Sequence, residues 1–165
     1  MQFRKATILD IPSIQAIAEE TWRPTYNHIL TEEQTLYMLD LMYNSTTLQA
    51  QIEGKISFYI VEEAGLALGY VAFESISPDV VKLHKIYFRP NQKNKGMGRL
   101  AIEFVKRQTQ ELGARFIELN VNKYNSAVDF YIKMGFTKQR EMVLDIGQGY
   151  IMDDYVMQYD LVPIQ

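Results

Sequence analysis

The chain has 165 residues, no cysteine, a formal net charge of −3, 47% apolar residues and 22% charged residues. That length suits one domain, residues 1–165, able to bury roughly 70% of its unfolded surface, and the composition excludes disordered and fibrous classes. A disulfide framework, a thiolate metal site and a cysteine nucleophile are excluded too, and no segment approaches the roughly 18 uninterrupted apolar residues of a membrane span.

Phe3 lies in a short opening strand. Arg4, Lys5 and Asp10 interrupt any leader-like apolar run, so a cytoplasmic location is expected. Asp10 reads as the N-cap of a helix through about Trp22, with Pro12 in its first turn and Ile11, Ile14, Ile17 and Ala18 on one face. An aromatic-rich connection, Trp22 to His28, separates it from a second helix opened by Thr31, with Gln34 at the capping-box position and Leu36, Leu39 and Tyr43 at helical spacing. The runs Phe58 to Val61 and Leu68 to Phe73 form a hairpin across Glu63-Ala64-Gly65. After Ser77-Pro78-Asp79 comes a strand from Val81 to Phe88.

The stretch that follows is the most informative in the chain. Lys93-Asn94-Lys95-Gly96-Met97-Gly98-Arg99 precedes an amphipathic helix that carries Leu100, Phe104 and Val105 on its apolar face and ends at Gly113. Glycines at such a junction let the backbone approach an anion without Cβ atoms in the way, and the first helical turn adds unpaired N–H groups and the positive end of the dipole. Six Lys or Arg residues and no acid fall between Val80 and Ile102, so a polyanionic ligand is the expected partner.

Phe116 to Val121 reads as a further strand, Ser126 to Met134 as a short helix closed by Gly135, and Phe136 to Tyr159 as two strands around Gly147-Gln148-Gly149. The order is β-α-α-β-β-β-α-β-α-β-β. Its central β-α-β unit implies a parallel pair and its hairpins antiparallel ones, giving a mixed sheet in an α/β (α+β) fold. Residues 1–63 carry nine acids against four bases, and 141–160 carry five acids and no base. These acids either lie solvated on the surface or line a cleft that takes a cationic co-substrate opposite the basic middle.

The element order, the strand Leu83-His84-Lys85-Ile86-Tyr87-Phe88, the glycine junction and the later Ala127-Val128-Asp129-Phe130-Tyr131-Ile132-Lys133-Met134-Gly135-Phe136 together resemble the GNAT superfamily of N-acetyltransferases. The resemblance covers essentially the whole chain. Glu20-Thr21-Trp22 to Tyr26 and Met152-Asp153-Asp154 give it the appearance of the PaiA-like group, some of whose members acetylate polyamines. It implies a sheet of six to seven strands, mostly antiparallel, splayed at the central β-α-β unit, and acetyl-CoA as co-substrate without a metal.

The family's pyrophosphate-cradling pattern maps its fixed glycines onto Gly96 and Gly98 and its Gln/Arg position onto Lys93. Lysine meets a phosphate as a point charge rather than a planar fork. Asn94 stands where many members have another glycine, and asparagine tolerates positive φ next best. The cradle thus comprises Lys93, Asn94, Lys95, Gly96, Met97, Gly98 and Arg99, with the backbones of Ile86, Tyr87 and Phe88 pairing the pantetheine arm. The family's cofactor-contacting asparagine, seven residues before the helix tyrosine, would fall at Tyr124, and Asn125 beside it is the candidate contact rather than Asn122.

By the same resemblance, Tyr131 is the general acid for the leaving thiolate. His84 has an unperturbed pKa near 6.5 suited to removing the amine proton, with Glu74 and Glu118 as alternatives on neighbouring strands. Trp22 and Tyr26 offer ring faces to a cation, and Glu20, Asp153 or Asp154 offer it a carboxylate. Trp22, the only tryptophan, equally suits a core position. The acceptor is expected to be a polyamine or other small primary amine, with a protein N-terminus or lysine second. A homodimer is compatible with the fold. Nucleic acid and membrane are not expected partners, the basic run being short in an acidic chain.

Two other classes fit part of the pattern. Gly96 to Ala101 also satisfies G-x-G-x-x-A, with Glu118 twenty residues after Gly98, as in dinucleotide-dependent oxidoreductases. Against that, seven residues from Arg89 to Lys95 separate the motif from its strand, and too little chain follows for a doubly wound sheet. A non-catalytic acyl-CoA sensor of the same fold would bind the thioester and turn over no amine. The two histidines lie far apart in the sequence and supply no ligand cluster for metal catalysis.

Overall fold

A computed structural model describes residues 1–92 and 95–162. The helices are α1 (Ile11–Tyr26), α2 (Glu32–Tyr43), α3 (Ser45–Glu53), α4 (Met97–Glu111) and α5 (Ala127–Lys133). The strands are β1 (Gln2–Lys5), β2 (Ser57–Glu63), β3 (Leu66–Ser77), β4 (Val80–Phe88), β5 (Phe116–Asn122), β6 (Thr137–Gly147) and β7 (Tyr150–Asp160). Seven strands form one mixed sheet, ordered β1-β2-β3-β4-β5-β7-β6, so the fold is the expected α/β arrangement. The chain divides into two compact units, residues 1–74 with 84–101, and residues 75–83 with 102 onward.

In the first unit, β1, β2 and β3 pair antiparallel, Phe3 facing Val61 and Tyr59 facing Val71. The β2–β3 turn carries Ala64 at φ 50° and Gly65 at φ 78°, the mirror-image turn geometry whose twist matches a tight hairpin. Behind the strands, Ile14, Ile17, Ala18 and Trp22 of α1, Leu39 and Tyr43 of α2 and Leu48 of α3 are buried with Phe58, Ile60 and Tyr70.

The opening helix differs from expectation at both ends. Thr7 caps a preceding 3-10 turn in a reciprocal capping box with Asp10, whose carboxylate also holds Arg4, so Asp10 gives α1 no side-chain cap. At the other end α1 runs through Pro24 to Tyr26, which makes Trp22 to Tyr26 helical rather than a connection. Proline removes one backbone donor. Two hydroxyls tie adjacent turns instead, Thr25 donating to the Thr21 carbonyl at 2.7 Å and Thr21 to that of Ile17 at 2.8 Å.

Helix α3 was not anticipated, although its signal is present in Asn44, which accepts from the Thr47 N–H at 2.8 Å as an N-cap. Leu36 and Leu100, assigned above to apolar faces, are 48% and 45% exposed.

In the second unit, β4 and β5 run parallel over Val80–Leu83 and Phe116–Leu119, joined by α4 as a right-handed crossover predicts. Strand β7 pairs antiparallel with both β5 and β6. Ile102 and Val105 of α4 are buried, as are Ile117, Leu119, Val128, Phe136, Val156 and Met157. A doubly wound parallel sheet, which the dinucleotide alternative requires, is absent from this topology.

Candidate active site

The first unit holds the glycine junction. Gly96 has φ +73°, a left-handed conformation in which a side chain is strained, and a Cβ built there meets nothing within 4 Å. Its carbonyl accepts the Leu100 N–H, so Gly96 stands at the N-cap of α4 and the first-turn N–H groups of Met97, Gly98 and Arg99 lie ahead of the intrahelical ladder. Met97 is buried and anchors the turn, whereas Lys95, Gly96 and Arg99 are exposed. An open backbone, helical donors and two exposed cations are what a pyrophosphate requires, and the junction fits it. Lys93 and Asn94 lie outside the described residues.

Ahead of the junction, Ile86, Tyr87 and Phe88 are half-buried at the end of β4. The Phe88 ring lies against Gly69 of β3 so closely that a Cβ there would sit 2.4 Å from both the ring and the Tyr87 carbonyl oxygen. Arg89 then locks the strand end. Its N–H donates to the Leu68 carbonyl at 2.8 Å, its Nε donates to the Ala67 carbonyl at 2.8 Å, and its guanidinium pairs with Glu20. Glu20, expected to meet a cationic acceptor, is thus engaged in holding Arg89.

On the same strand, His84 Nε2 and Glu74 Oε1 are 2.9 Å apart. The sequence reading offered these two residues as alternative bases, and the fold brings them into one dyad. A carboxylate within hydrogen-bond distance of one ring nitrogen fixes the orientation of the imidazole.

An aromatic cluster occupies the same unit. Trp22 is 4.8 Å from Tyr26, 5.7 Å from Tyr43 and 6.1 Å from Tyr87, centroid to centroid, and Tyr70 is 5.7 Å from Tyr87. The Tyr70 hydroxyl donates to that of Tyr43 at 2.7 Å, and those of Tyr26 and Tyr87 lie 3.2 Å apart. Burial pushes both Tyr43 and Tyr70 well above the ordinary phenol range. Trp22 is 3% exposed, so it is a core residue with Tyr26 and Tyr87 at its partly exposed rim. Sequence reasoning missed one member, Lys85, whose ammonium stands 4.4 Å from the Tyr43 ring centroid.

The second unit holds Tyr131 on α5, 7% exposed, its ring packed edge-on against Phe130 at 5.3 Å and Phe136 at 5.6 Å. Packing on both sides fixes the phenol's direction. Asn125 turns its Oδ1 back to the Ala127 N–H at 2.9 Å, opening α5, while Asn122 Oδ1 accepts from the Tyr124 N–H. Tyr124 itself is 70% exposed.

The two aspartates expected to meet the acceptor differ in exposure, the Asp153 side chain being 32% exposed. Asp153 pairs with Lys123 at 2.7 Å, and Asp154 is 3% exposed. Burial first, then the neighbouring Asp153, push the Asp154 carboxyl up to about 6, against the pull of Lys82 and Asn120. Lys82 also binds Glu118 at 3.0 Å, so Glu118 is an ion-pair partner. Because the folded state holds the Asp154 proton more tightly than the unfolded chain does, the residue's contribution to stability falls as pH rises from about 4 to 6. Asp154→Asn is therefore expected to stabilise the protein by about 2 kcal/mol above pH 7, the gain vanishing below pH 4. Denaturant midpoints across that range test this, and an equal gain at every pH would assign it to packing instead.

Among the described residues, no group of three or more His, Cys, Asp or Glu is arranged to hold a metal ion, and no helix is long and apolar enough to cross a membrane.

These features define an α/β protein with a glycine-opened helix start whose backbone fits an anion. Residues 26–148 match the acetyltransferase (GNAT) domain family, and the chain belongs to it. It is an acetyltransferase with acetyl-CoA as co-substrate. It is 26% identical over 162 residues to an uncharacterised N-acetyltransferase of Lactobacillus delbrueckii subsp. lactis, covering 93% of each chain. It is 24% identical over 142 residues to a spermidine N(1)-acetyltransferase of Thermoplasma acidophilum, covering 82% of this chain and 88% of that one. Among solved structures, the PaiA N-acetyltransferase of Thermoplasma acidophilum in complex with coenzyme A superposes with a TM-score of 0.83 at 22% identity, over 96% of this chain and 98% of that one.

Proposed function

We propose that the protein transfers the acetyl group of acetyl-CoA directly to a primary amine, the acceptor being a polyamine or another small amine. The observation that carries this reading is the glycine-opened start of α4, immediately beyond the strand end at Ile86 to Phe88. The diphosphate would lie on the N–H groups of Met97, Gly98 and Arg99, with the charges of Lys95 and Arg99 beside it. The backbone of Ile86 to Phe88 would take the pantetheine amides, and Asn125 is the candidate side-chain contact to the co-substrate. Similarity to a spermidine N(1)-acetyltransferase, 24% identical over 142 residues, supports a small amine.

A primary amine of pKa about 10.4 arrives charged and must lose a proton before attack. His84, oriented by Glu74, accepts that proton directly or through water. The neutral nitrogen then bonds to the thioester carbonyl carbon, the C–S bond breaks, Tyr131 gives the departing sulfur a proton, and the proton shed by the new amide nitrogen passes through water to restore the phenol. Products are the N-acetylated amine and free CoA thiol.

The test is thiol release from acetyl-CoA with spermidine, short alkylamines, amino acids and peptides, each product identified by mass. Acetylated small amine with equimolar thiol is the expected result. Binding of acetyl-CoA without turnover of any amine would instead make the protein an acyl-CoA sensor.

A further inference from the structure

Among the described residues, Lys85 is the one charged group identified against the rings of the aromatic cluster of the first unit, and the chemistry above gives it no task. Lys85 is half-buried, and its ammonium faces the Tyr43 ring at 4.4 Å. Tyr43 is in turn packed on Trp22 and Tyr70, and Tyr70 on Tyr87. Among the described residues, no carboxylate pairs with Lys85. Every other titratable neighbour identified in the cluster is a phenol, namely Tyr26, Tyr43, Tyr70 and Tyr87, and burial holds Tyr43 and Tyr70 firmly protonated.

An ammonium in such a place loses hydration, and one ring face returns only part of what water gave it. Desolvation accordingly pulls the Lys85 amine down to about 8. The enclosed Trp22 Nε1 is served only by a weak contact with the Tyr43 hydroxyl. The cluster thus holds a cation with no anion to pair with it, the acceptors among its rings being neutral phenol oxygens. Its complement is an anionic oxygen group, which would pair with the Lys85 ammonium, whereas a second ammonium would meet like charge where screening is weak.

We propose that Lys85 recognises an anionic oxygen group on the acceptor, so that the preferred substrates are small amines carrying a carboxylate at the end away from the reacting nitrogen. This rests on the small-amine reading and narrows it, because Lys85 then disfavours a di- or polycationic acceptor. The ring faces of Trp22 and Tyr26, which the sequence offers to the substrate's cation, belong to a cluster that already contains a cation of its own. Glu20, engaged with Arg89, leaves the distal end of the substrate to Lys85.

Three amines of matched length separate the possibilities: 5-aminopentanoate, pentylamine and 1,5-diaminopentane, each assayed by thiol release with the full-length enzyme. For the wild type, kcat/KM is expected to be highest for the amino-carboxylate and lowest for the diamine, the extremes differing about 10-fold or more. Lys85→Met, which keeps the apolar stem, should abolish or invert that order, and Lys85→Arg should preserve it. Binding gives an independent readout, because Trp22 is the only tryptophan and sits in the cluster. Its emission should respond saturably to 5-aminopentanoate, with Kd about 10-fold weaker in Lys85→Met.

A charge order unchanged by Lys85→Met, or a wild type that prefers the diamine, overturns the role of Lys85 while leaving acetyl transfer intact. No thiol release with any amine overturns the small-amine reading instead. In that event a Lys85-dependent Trp22 titration still supports the anion site, and a Lys85-independent one overturns it.

Discussion

Tyr131→Phe is expected to lower kcat by about 10²-fold or more while leaving KM for acetyl-CoA within a factor of about two, the range of losses typical when a positioned general acid is removed. The ring is 7% exposed between Phe130 and Phe136, and the variant keeps that packing while deleting only the hydroxyl. Stability should therefore change little, and the lost rate should be recovered in part with thioesters whose thiol is more acidic and leaves without a proton. Steady-state kinetics on both kinds of thioester checks this. A variant within twofold of wild type at every pH would remove Tyr131 from the chemistry.

Gly69→Ala should disrupt the strand end by geometry alone. The added methyl would lie 2.4 Å from the Tyr87 carbonyl oxygen and 2.4 Å from the Phe88 ring, closer than any contact a real Cβ makes. The ring can turn, but the carbonyl belongs to β4 and must move with its strand. Overpacking of this kind costs about 2–3 kcal/mol, which for a chain of this length lowers Tm by about 5–10 °C. Since Tyr87 and Phe88 are assigned to the pantetheine arm, KM for acetyl-CoA should rise together with the loss of stability. A variant with wild-type Tm and KM would show that the strand end accommodates the methyl and that its position is unimportant for the co-substrate. The same contact explains why glycine interrupts an otherwise apolar strand, a point that strand propensity leaves unaddressed.

The hairpins and the central β-α-β crossover were readable because they depend on local periodicity. The alternation of Phe58 to Val61, the positive-φ residues between β2 and β3, and the strand-glycine-helix sequence at Gly96 each act within a few residues of chain. Helix ends were less readable. Pro24 argues locally for a stop, yet burial of Trp22 among Tyr26, Tyr43 and Tyr87, together with hydroxyl bonds along α1, favours continuation. Likewise, Leu36 and Leu100 match a helical apolar stripe by spacing, but whether another element covers that stripe depends on the tertiary arrangement.

For this protein, the order of residues alone determined the mixed α/β architecture, the glycine-opened helix start at Gly96 and the superfamily, all of which rest on local pattern. The pairing of Glu74 with His84, the engagement of Glu20 by Arg89, the burial of Asp154 and the enclosure of Lys85 were decided only by the tertiary structure. Each depends on which distant side chains share a low-dielectric space, and the free energy of a charge depends on that space far more than on its neighbours in the chain.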